Sequence, residues 1–169
     1  MLIVSIVSIC VFSLFFIESN AFFDNNVSGI KYIDLALKRC SNDDDFSIHG
    51  WWPEYNKTSY PQWCNVTLCK QFDYRKLSVL SDKLNKYWYS CDDWNINTET
   101  LLKHEWCKHA TCISSNENFI DYFNRTLSIY LDARSHVWYG CCEYHQKECL
   151  IPYDVNGTKW LGWCNRFIK

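Results

Sequence analysis

The sequence predicts a disulfide-bonded α+β fold, and three observations support this prediction. Strand-like segments occur near residue 31 and again beyond residue 137, and segments with helical spacing lie between them. The chain has 169 residues, which is enough for one domain with one hydrophobic core. Ten of its eleven cysteines follow residue 21, and these ten could form five disulfides.

The predicted strands lie toward the two ends of the chain. Residues 31–37 have a mixed apolar pattern that suits a strand near the start of a sheet. Residues 46–53 (FSIHGWWP) form a short apolar strand, and Pro53 is expected to prevent it from continuing in a sheet interior. His49 lies within this strand, where a histidine taken alone is more often a core residue than a functional one. A turn at Asn156-Gly157 is typical of a hairpin.

Helices are predicted in the middle of the chain. Residues 54–69 form a loop, and residues 72–89 have apolar side chains at helical spacing. Thr98 is the expected N-cap of the next helix, which contains residues 101–112. Residues 118–133 form another amphipathic helix.

The first residues of the chain have the pattern of a signal peptide. An apolar run without a charge occupies residues 2–17, and Ser19-Asn20-Ala21 follows as a small-x-small cleavage site. Residues 1–21 are therefore predicted to be removed, which leaves residues 22–169 as a single domain. An uncleaved anchor is the alternative, but this run is short for a membrane span. We expect no stable membrane insertion after the signal peptide is removed.

Cysteines and glycosylation sequons indicate the destination of the chain. Ten cysteines after residue 21 are many for a reducing compartment and ordinary for an oxidising one. We therefore expect a secreted, extracellular protein, with the lysosomal or vacuolar lumen as another destination. Five sequons predict a glycosylated surface, at Asn26, Asn56, Asn65, Asn124 and Asn156.

The charge of the chain argues against one class of function. The formal net charge is −2, the pI is near 6.2, and no run of lysine or arginine occurs. Electrostatic attachment to long nucleic acid is therefore not indicated. Aromatic residues make up 18% of the chain, and some of them are expected to be available for stacking on flat ligands.

The segment LLKHEWCKHATC at residues 101–112 is the one most typical of a functional site. At 100° per residue on a helix, His104, Glu105, Lys108 and His109 share one face. This face could be a solvated surface with i,i+4 pairs. It could also bind a metal, although the two histidines, about 140° apart round the helix, are expected to diverge from a shared ion. The third interpretation is acid–base chemistry on a phosphate.

The segments FSIHGWWP and HEWCKHATC resemble the two active-site segments of the ribonuclease T2 family, which run approximately FTIHGLWP and HEWxKHGTC. The resemblance implies an antiparallel sheet flanked by helices. It also implies cleavage of single-stranded RNA through a 2′,3′-cyclic phosphate, without a metal or other cofactor. The need for a 2′-OH would exclude DNA as a substrate. We expect the protein to be a monomer.

The resemblance also implies a role for each polar residue of the two segments. His109 would be the base that takes the 2′-OH proton, and His49 would be the acid that protonates the leaving 5′-oxygen. Glu105 and Lys108 would stabilise the charge of the pentacoordinate phosphorus, and His104 would hold the phosphate. The alternative from another class is a secreted glycoprotein effector or binding protein on the same scaffold, with reduced or dispensable catalysis.

Base binding is implied by match at three positions. Trp52 would stack on a base, and Glu54 and Tyr60 would assist it. A stacked aromatic ring recognises the face of any base, so no nucleotide preference follows. The alternative for Trp52 is a position in the core.

The resemblance implies a Cys64–Cys112 disulfide, and Cys40–Cys91 and Cys149–Cys164 are further expected pairs. Closing loops of this size is worth on the order of 3–4 kcal/mol. The remaining cysteines would form two bonds whose pairing stays open: Cys69, Cys107, Cys141 and Cys142. Two C-x4-C spacings could instead indicate a zinc module, which an oxidising compartment disfavours.

Overall fold

The structure is a computed structural model that describes residues 29–40, 45–91, 96–114, 116–136 and 148–162. Its elements are, in chain order, β1 (Tyr32–Arg39), β2 (Phe46–Glu54), α1 (Val66–Lys70), α2 (Ser81–Tyr87), α3 (Thr98–Lys108), α4 (Phe119–His136) and β3 (Glu148–Tyr153). The 3₁₀ helices Tyr74–Leu80 and Ala110–Cys112 adjoin α2 and α3. Outside the described residues lie the predicted signal peptide, Asn26, Cys141, Cys142 and Cys164.

The strands form an antiparallel sheet in the order β2–β1–β3. The central strand β1 is buried from Tyr32 to Leu37, so both of its faces are covered. β2 pairs only with β1 among the described strands, which makes it an edge strand. It therefore continues through Pro53 to Glu54, because a proline in an edge strand removes no hydrogen bond from the ladder. The predicted α+β class is confirmed.

The core lies between the sheet and the helices α2, α3 and α4. Some of the buried aromatic side chains form hydrogen bonds to the edge strand through their polar ends. The Tyr130 hydroxyl donates to the Phe46 carbonyl at 2.8 Å, and Trp88 Nε1–H donates to the His49 carbonyl at 3.1 Å. These bonds satisfy groups that would be costly to bury unpaired, and they attach the helical layer to β2. The largest fully buried side chains include Trp51, Trp88, Trp106, Tyr122, Tyr130 and Phe123.

The predicted helix over residues 72–89 is wrong in its form. The segment is divided into the 3₁₀ helix Tyr74–Leu80 and the short helix α2, and the Ser81 N–H bonds to the Ser78 carbonyl. Leu77 and Leu84 are the buried side chains of the two parts. Apolar residues three or four positions apart fit an α-helix and a 3₁₀ helix equally well, so the pattern could not separate the two.

Two local details also differ from the prediction. The N-cap of α3 is Asn97, whose side chain accepts the Thr100 N–H at 2.8 Å, and not Thr98. The Thr98 hydroxyl instead accepts the Ser90 N–H at 3.2 Å, so it ties α3 to the preceding segment. The predicted loop over residues 54–69 contains most of the short helix α1, which Asn65 caps by accepting the Leu68 N–H.

The last described segment turns back on itself after β3. Gly157 has a φ of 67°, which a glycine adopts without strain, and its N–H donates to the Asp154 carbonyl at 2.9 Å. A bridge between Tyr153 and Trp160 closes the turn, as the Asn156-Gly157 pattern predicts. No helix among the described residues is both long enough and apolar enough to cross a membrane.

Two of the disulfides join α1 and the loop before it to α3 and the 3₁₀ helix that follows α3. The bonds between described residues are Cys40–Cys91, Cys64–Cys112 and Cys69–Cys107. The first two are expected pairs, and the third joins two cysteines whose pairing was open. The last two bonds consume both C-x4-C spacings, so no thiolate remains there for a zinc module. Cys149 is buried, and its pairing with Cys164 stays a prediction.

The sequons within the described residues lie at the surface or close to it. Asn56, Asn124 and Asn156 are exposed. Asn65 is half-buried because its side chain caps α1. Glycosylation of these positions stays a prediction.

Candidate active site

A bulge in β2 aims His49 toward a pocket beside the sheet. Ala36 of β1 pairs with Gly50, and the next residue, Leu37, pairs with Ile48. His49 is therefore an extra residue between these two pairs, which defines a β-bulge. In a regular strand residues three apart point to opposite faces, but the bulge brings His49 and Trp52 to the same pocket.

Gly50 allows α3 to approach this strand closely. A Cβ atom at position 50 would overlap the Glu105 carboxylate and the Trp52 indole nitrogen. No other residue type fits here unless these two side chains move. A glycine inside a strand often marks such a close approach, so the sequence carries a signal for it.

Glu105 projects from α3 into the space beside Gly50. Its side chain is fully buried, Oε2 accepts a hydrogen bond from Trp52 Nε1–H at 2.7 Å, and Oε1 lies 3.8 Å from His49 Nε2. Burial raises the pKa of Glu105 to about 8, while the Trp52 hydrogen bond and the charge of Lys108 oppose the shift. The carboxyl group is therefore neutral at mildly acidic pH.

His109 is positioned by the end of α3. The helix ends at Lys108, and His109 is its C-cap, with its N–H donating to the Glu105 carbonyl at 3.2 Å. The imidazole is 4% exposed and stacks on Trp52 with 5.1 Å between ring centres. Its Nδ1 has no hydrogen-bond partner. Burial, followed by the charge of Lys108, lowers the pKa of His109 to about 2, so the ring is neutral.

Glu148 at the start of β3 is a site residue that the sequence did not predict. Its Oε1 lies 2.7 Å from His49 Nδ1. Burial lowers the pKa of His49 from its ordinary value, and the hydrogen bond and charge of Glu148 oppose this shift. The two residues are 99 positions apart in a sheet whose pairing the sequence does not specify, so no local pattern could have indicated the contact.

His104, Lys108 and Tyr60 surround the opening of the pocket. Lys108 Nζ lies 5.6 Å from the centre of the Tyr60 ring, and that ring is 5.8 Å from the His109 ring. His104 is exposed on α3. Burial of part of the ring, followed by the charge of Lys108, lowers the pKa of His104. One ammonium group and one imidazole thus stand where a phosphate could enter.

The three residues matched to base binding also line this pocket. Trp52 is half-buried, and His109 covers one face of its indole, so it is neither a core residue nor a fully exposed platform. Glu54 is 8% exposed, and burial raises its pKa to about 8 with help from the charge of Asp34. Tyr60 is 42% exposed.

The pocket has a volume of about 540 Å³, a size typical of sites for small ligands. All eight sequence-predicted catalytic and base-binding residues line it, together with Lys57, Thr58, Glu148 and Leu150. It therefore combines two histidines on its strand and helix sides, a neutral carboxyl group between them, and a cation at the opening.

A metal could be held by part of this set. One ligand atom from each of His104, Glu105 and His109 lies within 4.8 Å of the other two. The expectation that the two histidines diverge was wrong, because α3 ends at Lys108 and the helical angle does not apply to His109. Bound zinc brings its ligands to roughly 3.4 Å from one another, so these side chains would have to move to bind it.

Comparison with known proteins identifies a matching family. Residues 9–140 match the family model described as the ribonuclease T2 family. Ribonuclease 1 of Arabidopsis thaliana is 33% identical over 103 residues, which are 58% of this chain and 44% of that protein. The chain thus spans less than half the length of this relative.

Solved structures share the fold. Ribonuclease MC1 from the seeds of bitter gourd superposes with a TM-score of 0.56 at 20% identity, covering 77% of this chain and 92% of that one. A variant of the same enzyme in complex with 5′-UMP superposes with a TM-score of 0.56 at 19% identity, covering 78% and 91%. Since the family model covers both histidine segments of the pocket, the chain belongs to the ribonuclease T2 family.

Proposed function

We propose that the chain is an endoribonuclease that cleaves single-stranded RNA by transphosphorylation to a 2′,3′-cyclic phosphate. The observation that carries this proposal is the contrast between two imidazoles at one pocket. His49 faces a carboxylate at 2.7 Å, whereas His109 is buried and its Nδ1 has no hydrogen-bond partner. One ring can hold a proton while the other stays neutral, which is what paired acid and base catalysis requires.

His109 acts as the general base. Burial and the charge of Lys108 lower its pKa, which keeps the ring in the neutral form that can accept a proton. It takes the proton of the 2′-OH as the 2′-oxygen attacks the phosphorus. The 2′,3′-cyclic ester forms in the same displacement that breaks the bond from phosphorus to the 5′-oxygen.

His49 acts as the general acid. The hydrogen bond from Nδ1 to Glu148 directs Nε2 toward Glu105 and the pocket. The protonated ring then gives its proton to the departing 5′-oxygen. Because burial lowers the pKa of His49, the acid form is lost as pH rises through a value below 6.5, and activity is expected to be highest at mildly acidic pH.

Glu105, Lys108 and His104 stabilise the phosphate. A fully buried carboxylate beside a phosphate would repel it, but the pKa of about 8 keeps Glu105 neutral and able to donate a hydrogen bond. Lys108 supplies a positive charge at the pocket opening, and His104 holds a phosphoryl oxygen. No step in this sequence of proton transfers needs a metal ion.

Trp52, Glu54 and Tyr60 form the site for a base. The pocket volume suits a nucleotide, and the structurally similar ribonuclease MC1 variant was solved with 5′-UMP, which supports a nucleotide as the ligand. The 2′-OH requirement excludes DNA as a substrate.

We further propose that the protein acts as a secreted, glycosylated monomer, with residues 1–21 removed as a signal peptide and residues 22–169 forming the functional domain.

RNA cleavage in the presence of EDTA tests this function. We expect the wild type to release cyclic phosphate products, and His49→Ala and His109→Ala each to lower kcat by about 10²–10⁴-fold. Lys103→Ala is a matched control, because Lys103 is exposed on α3 and does not line the pocket. Activity that EDTA abolishes, or that survives either histidine substitution, would contradict the mechanism. A folded protein that binds RNA without cleaving it would favour the effector alternative.

A further inference from the structure

Trp63 is an exposed aromatic residue next to the pocket. Its side chain is 51% exposed, more than Tyr60 or Trp160, the other exposed aromatic residues of the described chain. It does not line the pocket itself. Exposing a large apolar ring to water is unfavourable, so an exposed indole beside a pocket is a candidate for ligand contact.

The backbone of Trp63 is held in a strained conformation. Its φ is 57°, and among the described residues no other non-glycine residue has a positive φ. Bulky side chains rarely adopt this left-handed region. The conformation is held by a hydrogen bond from the Trp63 N–H to the Lys108 carbonyl at 2.9 Å and by the Cys64–Cys112 disulfide at the next residue. Strain of this kind is concentrated at functional sites.

Trp63 continues a row of rings that begins inside the pocket. The Trp52 ring stacks on the His109 ring, whose centre is 6.2 Å from that of His104. The Trp63 and His104 rings make an edge-to-face contact with 5.7 Å between their centres. The rings thus follow one another from Trp52 through the two histidines to Trp63. His104 and Lys108, which are proposed to hold the phosphate, are therefore near the middle of this row, between the two indoles.

We propose that Trp63 is a stacking platform for a second nucleobase, on the side of the phosphate opposite Trp52. This inference rests on the proposed function and names a further part of its substrate site. A phosphate held at His104 and Lys108 carries a nucleotide on each of its two sides. Trp52 and Tyr60 are available to one base, and the exposed indole of Trp63 is available to the other. Stacking is tolerant of base identity, so this site contributes affinity and not sequence preference.

A chimeric substrate isolates the effect. It is a tetranucleotide with one ribose and three deoxyriboses, so that only one bond can be cleaved, and an abasic residue replaces the base on either side of that bond in turn. For the intact substrate we expect Trp63→Ala to lower kcat/KM by about 5- to 150-fold. For one of the two abasic substrates the variant and the wild type should be equal, because the base that stacks on Trp63 is already missing.

Two further variants separate stacking from folding. Trp63→Gly removes the ring and relieves the left-handed backbone, so its melting temperature should equal or exceed that of the wild type while its kcat/KM falls as in Trp63→Ala. Trp160→Ala is the matched control, since Trp160 is 37% exposed and does not line the pocket, and it should leave all rates unchanged. An equal loss on every substrate, or no loss, would overturn the proposal.

Binding distinguishes this proposal from the proposed function. The same tetranucleotide with a 2′-O-methyl group cannot be cleaved, and its Kd is measured by fluorescence anisotropy. A 5- to 150-fold weaker Kd in Trp63→Gly, absent for the matching abasic oligomer, supports the stacking site even if the wild type cleaves nothing. A Kd that does not change refutes it, whether or not the wild type is active.

Discussion

The strand side and the helix side of the pocket hold their histidines in different ways. On the strand side, His49 keeps a 19% exposed side chain, and Glu148 lies against its Nδ1. On the helix side, His109 is almost fully buried, stacks on Trp52, and has no partner at Nδ1. Burial lowers both pKa values, but only His49 has a carboxylate that opposes the shift.

This difference teaches that the proposed roles of acid and base depend on the surroundings of the two rings. The side chains are chemically identical, so the ring beside a negative charge binds a proton more readily than the ring without one. Trp52 lies between the two histidines. Its ring makes an edge-to-face contact with His49 and stacks on the ring of His109. Variants that change one contributor to this contrast at a time test it.

Gly50→Ala should have the largest effect, because it forces Glu105 and Trp52 out of the space between the two histidines. A displacement of about 1 Å can cost about 100-fold in rate, and overpacking costs roughly 1–3 kcal/mol of stability. RNA cleavage and urea unfolding measure the two effects. The double variant Gly50→Ala/Glu105→Ala should regain part of the stability but none of the activity. Full activity in Gly50→Ala would contradict the close packing described here.

Glu148→Gln should weaken the contrast without displacing the rings. The amide can still accept a hydrogen bond, but the negative charge that supports protonated His49 is gone. We expect kcat near pH 5 to fall by about 10-fold, and the pH above which the rate declines to move lower. Glu148→Asp should restore part of the rate.

Glu117→Gln is the matched control for this charge removal, because Glu117 pairs with Arg125 and does not line the pocket. Its pH–rate profile should follow that of the wild type. A profile unchanged in Glu148→Gln would mean that the carboxylate does not tune His49.

Glu105→Gln should leave the packing of the pocket in place and change how the free energy of unfolding depends on pH. The pKa of Glu105 is about 8 in the folded chain and near 4.5 when exposed, so the folded protein retains a proton that the unfolded chain loses. The stability that comes from this raised pKa is fully present below pH 4.5 and is lost as pH rises toward 8. Relative to the wild type, the variant should therefore gain on the order of 1–3 kcal/mol between pH 5 and pH 8 in urea unfolding. A difference that does not vary with pH would contradict the raised pKa.

Much of the fold and the site follows from local patterns in the sequence. The strands β1 and β2 and the helices α3 and α4 lie within a few residues of their predicted positions, because apolar periodicity acts over short distances. The residues that line the pocket from β2 and α3 belong to two contiguous segments, so a short motif identifies them. The burial of Trp106 also follows from its place on the helix opposite His104.

The features that the sequence did not predict depend on long-range contacts or on single backbone angles. Glu148 meets His49 only because β3 joins the far side of β1. The bulge at His49 depends on how β2 pairs with β1, and the strain at Trp63 depends on its bond to Lys108. Hydrophobic spacing carries no information about any of these. The end of α3 at Lys108, which sets the orientation of His109, could not be predicted from this spacing either.

The cross-links Cys64–Cys112 and Cys69–Cys107 have a consequence for the cell that makes the chain. Both join α1 and the residues before it to the corner where His109 is placed, so they support one half of the proposed catalytic pair covalently. In a reducing cytosol these bonds do not persist, and that corner has only non-covalent support. If the chain has the proposed activity, any of it that stays in the cytosol would lack these bonds, and this would limit its damage to the cell's own transcripts.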